Sequence, residues 1–303
     1  MTGRAAALGL AAGVAALALP VVWGVAVEPY RLDCREEQAW LPNLPPGWAG
    51  QRLALFGDLQ VGMPLANLAT VRRVVQRVRA ARPAAALIAG DFLYQAARDR
   101  AAQLRTLREL LRPLPAAGIP TYAVLGNHDY PVQHPAPHPN AAPAVRALED
   151  ALAALGVRVL DNEAVPLPPP GGVTDGTAPL YLVGIGAHVP GADAPLAAIG
   201  QVPAGAARVV LMHNPASFRG LPAGAAPLAL AGHTHGGQIR LPFKPEWSGW
   251  AWLRHAPRRA DGWLPAGGAP GNRLYVNRGI GFSHVPVRFG CPPELTFFAL
   301  RAA

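Results

Sequence analysis

The chain opens on an uncharged apolar stretch. Ala5 to Val27 form a run of 23 residues without Asp, Glu, Lys or Arg, which as a helix would reach roughly 34 Å, enough to cross a bilayer. This predicts a transmembrane anchor or uncleaved signal over residues 1–28. A cleaved signal peptide is the alternative, since Gly24-Val25-Ala26 is a tolerable small-residue site. Residues 29–50 contain Pro29, Pro42, Pro45 and Pro46 and read as a Pro-rich linker. Its Trp40 and Trp48 suit either a membrane interface or packing on a domain edge. From Gln51 the pattern becomes periodic, and one domain is expected over 51–303. Short apolar runs (Leu53–Phe56, Ala86–Ala89, Tyr122–Leu125, Val209–Met212, Leu228–Ala231) read as buried strands, with Leu274–Asn277 and Glu294–Leu300 closing the sheet. Between them, Leu65–Ala81, Ala97–Leu111 and Ala141–Leu155 carry apolar residues at helical spacing. Strands alternating with helices predict a layered α/β fold.

Five of the strand-like runs end on chemistry. The ends read Gly57-Asp58-Leu59-Gln60, Gly90-Asp91, Gly126-Asn127-His128-Asp129, His213-Asn214 and Gly232-His233-Thr234-His235. Loops at the carboxyl ends of strands are where such folds place ligands. In order and spacing the blocks resemble those of the calcineurin-like metallophosphoesterases, whose pattern runs D-x-H, G-D, G-N-H-D, H and G-H-x-H. Gly232 to Gln238, Val276-Asn277-Arg278-Gly279-Ile280-Gly281 and the N-terminal apolar segment look most like that family's bacterial membrane-associated branch. The resemblance implies a four-layer αββα sandwich behind an N-terminal transmembrane helix. It implies two divalent cations bridged by Asp91, one also held by Asp58, Gln60 and His235, the other by Asn127, His213 and His233. Water activated between the cations would attack phosphorus in line, with His128, oriented by Asp129, as the catalytic group. One position departs from the pattern: Gln60 stands where the family has His. An amide oxygen is a harder ligand than imidazole, so Mn²⁺ is expected at this centre, with Mg²⁺, Fe²⁺ or Zn²⁺ as alternatives.

Charge and composition narrow the partners. The chain of 303 residues carries 27 Lys+Arg against 18 Asp+Glu, a net +9, which favours anionic partners such as phosphate groups or an acidic membrane surface. Nucleic acid is disfavoured, because no zinc-finger, helix-turn-helix or RNP-like pattern is present. Two cysteines, Cys34 and Cys291, are too few for a disulfide scaffold. Between Glu246 and Trp263, four Trp are interleaved with Arg254, His255, Arg258 and Arg259, a composition that suits a lipid-facing lobe, single-stranded nucleic acid or ordinary packing. His134 and His138 fall in a Pro-rich loop, and His188 reads as structural. The expected protein is a monomer in the cytoplasmic membrane with its catalytic domain outside. It would hydrolyse a phosphodiester or pyrophosphate bond in a lipid or nucleotide-lipid substrate. An anchored phosphodiesterase for soluble nucleotides and a non-catalytic scaffold are the alternatives; Gln60 keeps the second alive and the His128-Asp129 pair argues against it.

Overall fold

The computed structural model describes residues 18–94, 99–130, 141–172, 178–241, 244–248, 260–265 and 268–303. Fourteen strands appear among them: β1 (Asp33–Leu41), β2 (Arg52–Phe56), β3 (Ala85–Ile88), β4 (Thr121–Ala123), β5 (Val157–Val159), β6 (Glu163–Pro166), β7 (Tyr181–Gly184), β8 (Arg208–Leu211), β9 (Ala229–Ala231), β10 (Arg240–Leu241), β11 (Lys244–Ser248), β12 (Gly262–Trp263), β13 (Leu274–Val276) and β14 (Glu294–Ala302). Helices α1 (Leu68–Ala81), α2 (Arg100–Leu111) and α3 (Ala141–Ala153) follow β2, β3 and β4. Two six-stranded sheets result, in the orders β1-β14-β2-β3-β4-β5 and β12-β13-β9-β8-β7-β6, with β10 and β11 as a separate pair.

Strand alternation builds the layers. In β2, Leu53 and Leu55 point into a core shared with Leu182, Val209, Leu211 and Leu230 of the other sheet, while Ala54 and Phe56 point the opposite way. That opposite face meets Val71, Val74, Val75 and Val78 of α1, Leu107, Leu110 and Leu111 of α2, and Leu148 and Leu152 of α3. The outer face of the second sheet, with Val183, Val210 and Val276, is covered more thinly, by Ala198 of the short helix Pro195–Ile199 and by Phe218 and Leu221. The strands β2, β3 and β4 run parallel in one sheet, and β7, β8, β9 and β13 run parallel in the other. Their carboxyl ends therefore bring loops from both sheets to one end of the sandwich.

Two expectations need correction. Residues 33–41 of the expected linker form β1, which pairs in parallel with β14 along its whole length. Burial alternates along it, but only Ala39 and Leu41 are buried apolar residues, so its apolar signal is confined to one end. Trp48 is buried against the core while Trp40 is half exposed. The two closing strands lie in different sheets, β13 in the second and β14 in the first. Among the described residues no helix is long and apolar enough to cross a membrane. Most of the Ala5–Val27 segment lies outside the described residues; its described end is helical and turns through a π-helical stretch at Trp23–Val27.

Because β1 belongs to the sheet, a protein beginning at Gln51 should be less stable than one beginning at Glu28. Loss of the buried Leu41 and Leu44 alone corresponds to about 3–6 kcal/mol. Urea titration of the two proteins measures the difference, and equal midpoints would show that β1 contributes nothing.

Candidate metal centre

The site is built from backbone that side chains seldom adopt. Asp58, Gln60, Asp91, His233 and His235 all have positive φ, between 48° and 72°, a region costing of order 1–3 kcal/mol for a residue with a Cβ. Neighbouring glycines let these turns close on one another. A Cβ on Gly90 would lie 2.6 Å from the Gly126 nitrogen, and one on Gly279 would lie 2.5 Å from the Asp58 side chain. Asp129 fixes the turn after β4 from below. Its buried carboxylate accepts four backbone N–H groups, from Asp91 (3.0 Å), Phe92 (2.8 Å), Leu93 (3.1 Å) and Gly126 (2.9 Å). It makes no bond to the His128 ring, whose Nδ1 is buried without a partner. Asp129 therefore staples two loops together rather than orienting His128.

Asp91 lies at the centre. Its Oδ1 accepts the His128 backbone N–H at 2.8 Å and lies 3.4 Å from His213 Nε2, and its Oδ2 accepts Gln60 Nε2 at 2.8 Å. His213 Nδ1 is 2.6 Å from the Ala89 carbonyl, which can only accept, so Nδ1 carries a proton and Nε2 is the nitrogen turned toward the site. Around Nε2 stand Asn127 Oδ1 and His233 Nδ1, both at 3.1 Å. Ligand atoms about 2.1 Å from an octahedral cation lie about 3.0 Å from one another, so this spacing fits a shared ion. The second group is Asp58, with His235 Nε2 3.5 Å from its Oδ1 and the His233 backbone N–H donating to both oxygens at 3.2 Å. The ligand atoms of Asp58, Asp91 and His213 all lie within 4.8 Å of one another. The donor set thus fits divalent cations: two carboxylates joined to imidazole and amide groups, in a buried pocket where two ring nitrogens face each other at hydrogen-bonding distance and a cation can take the place of the proton between them.

Gln60 is expected to offer its amide oxygen to a cation. Its amide nitrogen, which has no lone pair for a metal, is turned to Asp91, and its buried Oε1 has no partner. Only Oε1 could ligate, so the Asp58–His235 group is a ligand poorer than an imidazole at this position would make it. His188 is committed elsewhere, its Nδ1 2.8 Å from Asp193 Oδ2, which also accepts Ser217 Oγ–H at 2.7 Å. His134, His138, Trp250, Trp252, Arg254, His255, Arg258 and Arg259 lie outside the described residues. Trp263 is described and belongs to the packing: its ring meets Tyr275 and Phe298 edge-on, and its Nε1–H donates to Glu37 at 3.0 Å.

Two contributors carry no signal in the sequence. Tyr94 stacks on the His128 ring at 6.0 Å. Arg288, fully buried, donates to the carbonyls of Arg278, Gly279, Gly281 and Cys291. This holds the 278–281 loop against Asp58, whose carbonyl accepts the Gly281 N–H at 2.6 Å. The 276–281 block was visible as a motif; the arginine that clamps it was not.

Without cations the charges settle on protons. Burial pushes the Asp58 carboxyl up to about 7, with His213 opposing and Asp91 adding. Burial alone would lower His213, but Asp91 and Asp58 raise it to about 9. Burial, then the His213 charge, press His233 down to about 3. A cation must displace the protons it replaces. Below pH 9 His213 holds one and below pH 7 Asp58 holds another, so affinity should fall as pH is lowered from 9 to 6. About one proton should be released on binding at pH 8 and about two at pH 6, measurable by calorimetry in buffers of different ionisation enthalpy. Proton release that stays at zero throughout would contradict these assignments. A second test replaces the amide. Gln60→His should raise the metal retained after desalting by about one ion per chain, read by elemental analysis, since imidazole restores a strong ligand; unchanged stoichiometry would place Gln60 outside the coordination sphere.

Comparison with known proteins agrees with this chemistry. Residues 51–282 match the family model described as calcineurin-like phosphoesterase. The chain is 31% identical over 221 residues to Phosphodiesterase YaeI of Escherichia coli (strain K12), covering 72% of this chain and 71% of that protein. It is 34% identical over 94 residues to Uncharacterized metallophosphoesterase YkuE of Bacillus subtilis (strain 168), 31% of each. With the family model spanning most of the chain and a cluster of Asp58, Asp91 and His213 suited to a cation at its centre, this protein belongs to the calcineurin-like phosphoesterase family and is a metal-dependent phosphoesterase.

Proposed function

We propose that this chain is a membrane-tethered phosphodiesterase acting on a phosphodiester or pyrophosphate bond in a lipid or nucleotide-lipid substrate outside the cytoplasmic membrane. One observation carries the interfacial part of this reading: the end of the apolar N-terminal segment is bonded to the loops that back the metal centre. The Gly24 carbonyl accepts the Arg288 backbone N–H at 2.9 Å, and the Glu28 carboxylate accepts the Cys291 N–H. Asn67 Nδ2 donates both to the Pro29 carbonyl at 3.0 Å and to the Ile280 carbonyl at 2.8 Å. A segment lodged in a bilayer would thereby hold the site at a fixed place near the lipid surface.

Divalent cations, with Mn²⁺ the first candidate, would supply positive charge to the phosphoryl oxygens and make a bound water acidic enough to react. The chain's own groups do the positioning. Asp91 joins the two ligand groups, and Gln60 holds its second oxygen in place. Asp58, Asp91, His213 and His235 are buried, whereas Asn127, His128 and His233 are partly accessible, so substrate reaches the centre from their side. Burial lowers His128 below its ordinary value, with Asp91 opposing, and its ring is held against Tyr94. A neutral imidazole there can donate a hydrogen bond to the phosphoryl group or pass a proton to the leaving oxygen.

The reading is tested on the full chain in detergent, stripped with chelator and reloaded with Mn²⁺, Mg²⁺, Fe²⁺ or Zn²⁺. Diester turnover should exceed monoester turnover and return only with metal. His128→Ala should lower kcat at least ~100-fold with metal content unchanged. A phosphodiester bearing an acyl chain should be preferred over its short-chain analogue, and equal kcat/KM for the two would leave a soluble nucleotide as the substrate class.

A further inference from the structure

Eight exposed arginines lie on or just beyond two neighbouring helices. Helix α1 buries Thr70, Val71, Val74, Val75 and Val78 and exposes Arg72, Arg73, Arg77 and Arg79, with Arg82 just beyond its end. Helix α2 packs beside it and exposes Arg105 and Arg108, with Arg112 following. No acidic residue occurs in α1, and α2 has only Glu109, with Asp99 capping its start. Among the described residues none of these eight arginines lies in an ion pair. Arg73 donates to the Tyr30 carbonyl at 2.6 Å, and the side chains of the other seven make no hydrogen bond to another described residue.

Such a surface works against the helices that carry it. Arg73 and Arg77, and Arg108 and Arg112, are four apart in sequence, a spacing at which like charges destabilise a helix. An anionic partner would reverse the sign of that effect. The position of the surface says which partner. The chain leaves its apolar segment along α1: Asn67 and Thr70 bind the Pro29 carbonyl at 3.0 and 3.1 Å, and Arg73 binds that of Tyr30. At the same exit Arg31 lies over the Trp23 ring, 5.4 Å from its centroid.

We propose that the outer face of α1 and α2 is a docking surface for an anionic lipid bilayer, against which the domain lies once its apolar segment is in the membrane. The charges are complementary, the surface is continuous with the exit of that segment, and none of the eight arginines belongs to the metal centre. Docking would add an electrostatic contact over two helices to the hold that the bonded end of the segment already provides. It rests on the tethered reading and not on the identity of the substrate.

The chain supplies its own probe. Cys34 and Cys291 are its two cysteines, and of these Cys34 is exposed and Cys291 buried. The Cys34 thiol, raised by burial, lies in the field of Arg77 and Arg73. A fluorophore on Cys34 of the full chain, reconstituted in nanodiscs containing a headgroup-labelled quencher lipid, reports whether this surface meets the bilayer. Quenching should be strong in phosphatidylglycerol-containing discs, weak in phosphatidylcholine discs, and relieved by high salt. Arg72→Gln, Arg77→Gln and Arg108→Gln should each lower the docked-to-undocked ratio about fivefold, the equivalent of ~1 kcal/mol per charge. Their turnover of a soluble chromogenic diester should stay unchanged, which shows that the variants are folded. Equal quenching in the two kinds of disc, or quenching indifferent to all three substitutions, would overturn the proposal. So would a duplex oligonucleotide that displaces the surface from anionic discs at low concentration, which would assign it to nucleic acid. A catalytically inert chain that still docks would leave the proposal standing and remove only the enzymatic reading.

Discussion

Two carboxylates buried in contact with one set of histidines form the constraint that the rest of the molecule accommodates. Asp58 and Asp91 are essentially inaccessible to solvent, and burying charge without compensation costs more than a domain's whole stability margin. The compensation is layered. His213 shares its positive charge with both carboxylates, backbone N–H groups from His128 and His233 bind their oxygens, and Gln60 occupies the remaining face of Asp91. The arrangement is complete with a proton on His213 and more complete with divalent charge in its place, which is why metal and proton compete for one position.

Holding those groups together requires a backbone bent in ways that local preference opposes. Five candidate ligands adopt left-handed conformations, and the turns that carry them touch at glycines with no space for another atom. Such strain persists only where surrounding structure over-determines it. Here the determinants are Asp129, which ties the Asp91 and Gly126 turns to a single carboxylate, and Arg288, which binds three carbonyls of the loop behind Asp58 and that of Cys291. Both are deeply buried charges used as fasteners. Removing either would release a loop rather than a ligand.

What could be read from the sequence follows from this division. Central strands were legible because both of their faces are buried, giving short unbroken apolar runs such as Ala85–Ile88. The loaded turns were legible because their residue types are expensive anywhere else. An edge strand such as β1 was not, since most of its residues are polar and part of its charged face is paired, Arg35 with Asp33 and Glu37 with Trp263. Sheet membership escaped as well: nothing within Leu274–Val276 or Glu294–Ala302 distinguishes a strand of one sheet from a strand of the other. For Asp129 the residue was recognised and its partner was not, because a carboxylate beside a histidine in sequence can turn to backbone donors that only the fold supplies. Gln60 shows the same limit, since an amide offers both a donor and an acceptor and the sequence does not say which end meets Asp91.

The place of β14 bears on how the molecule comes to exist. It lies between β1 and β2, parallel to the first and antiparallel to the second. As the polypeptide leaves the ribosome, β2, β3 and β4 can pair as they appear, but β1 has no neighbour in its sheet until β14 has been made. During that interval an unpaired strand waits beside the apolar segment, and the loop carrying Arg288, which immediately precedes β14, is not yet in place behind Asp58. The newborn chain can therefore collapse around most of its core well before it can hold a cation, and catalytic competence waits for β14, which follows the other described strands in the chain.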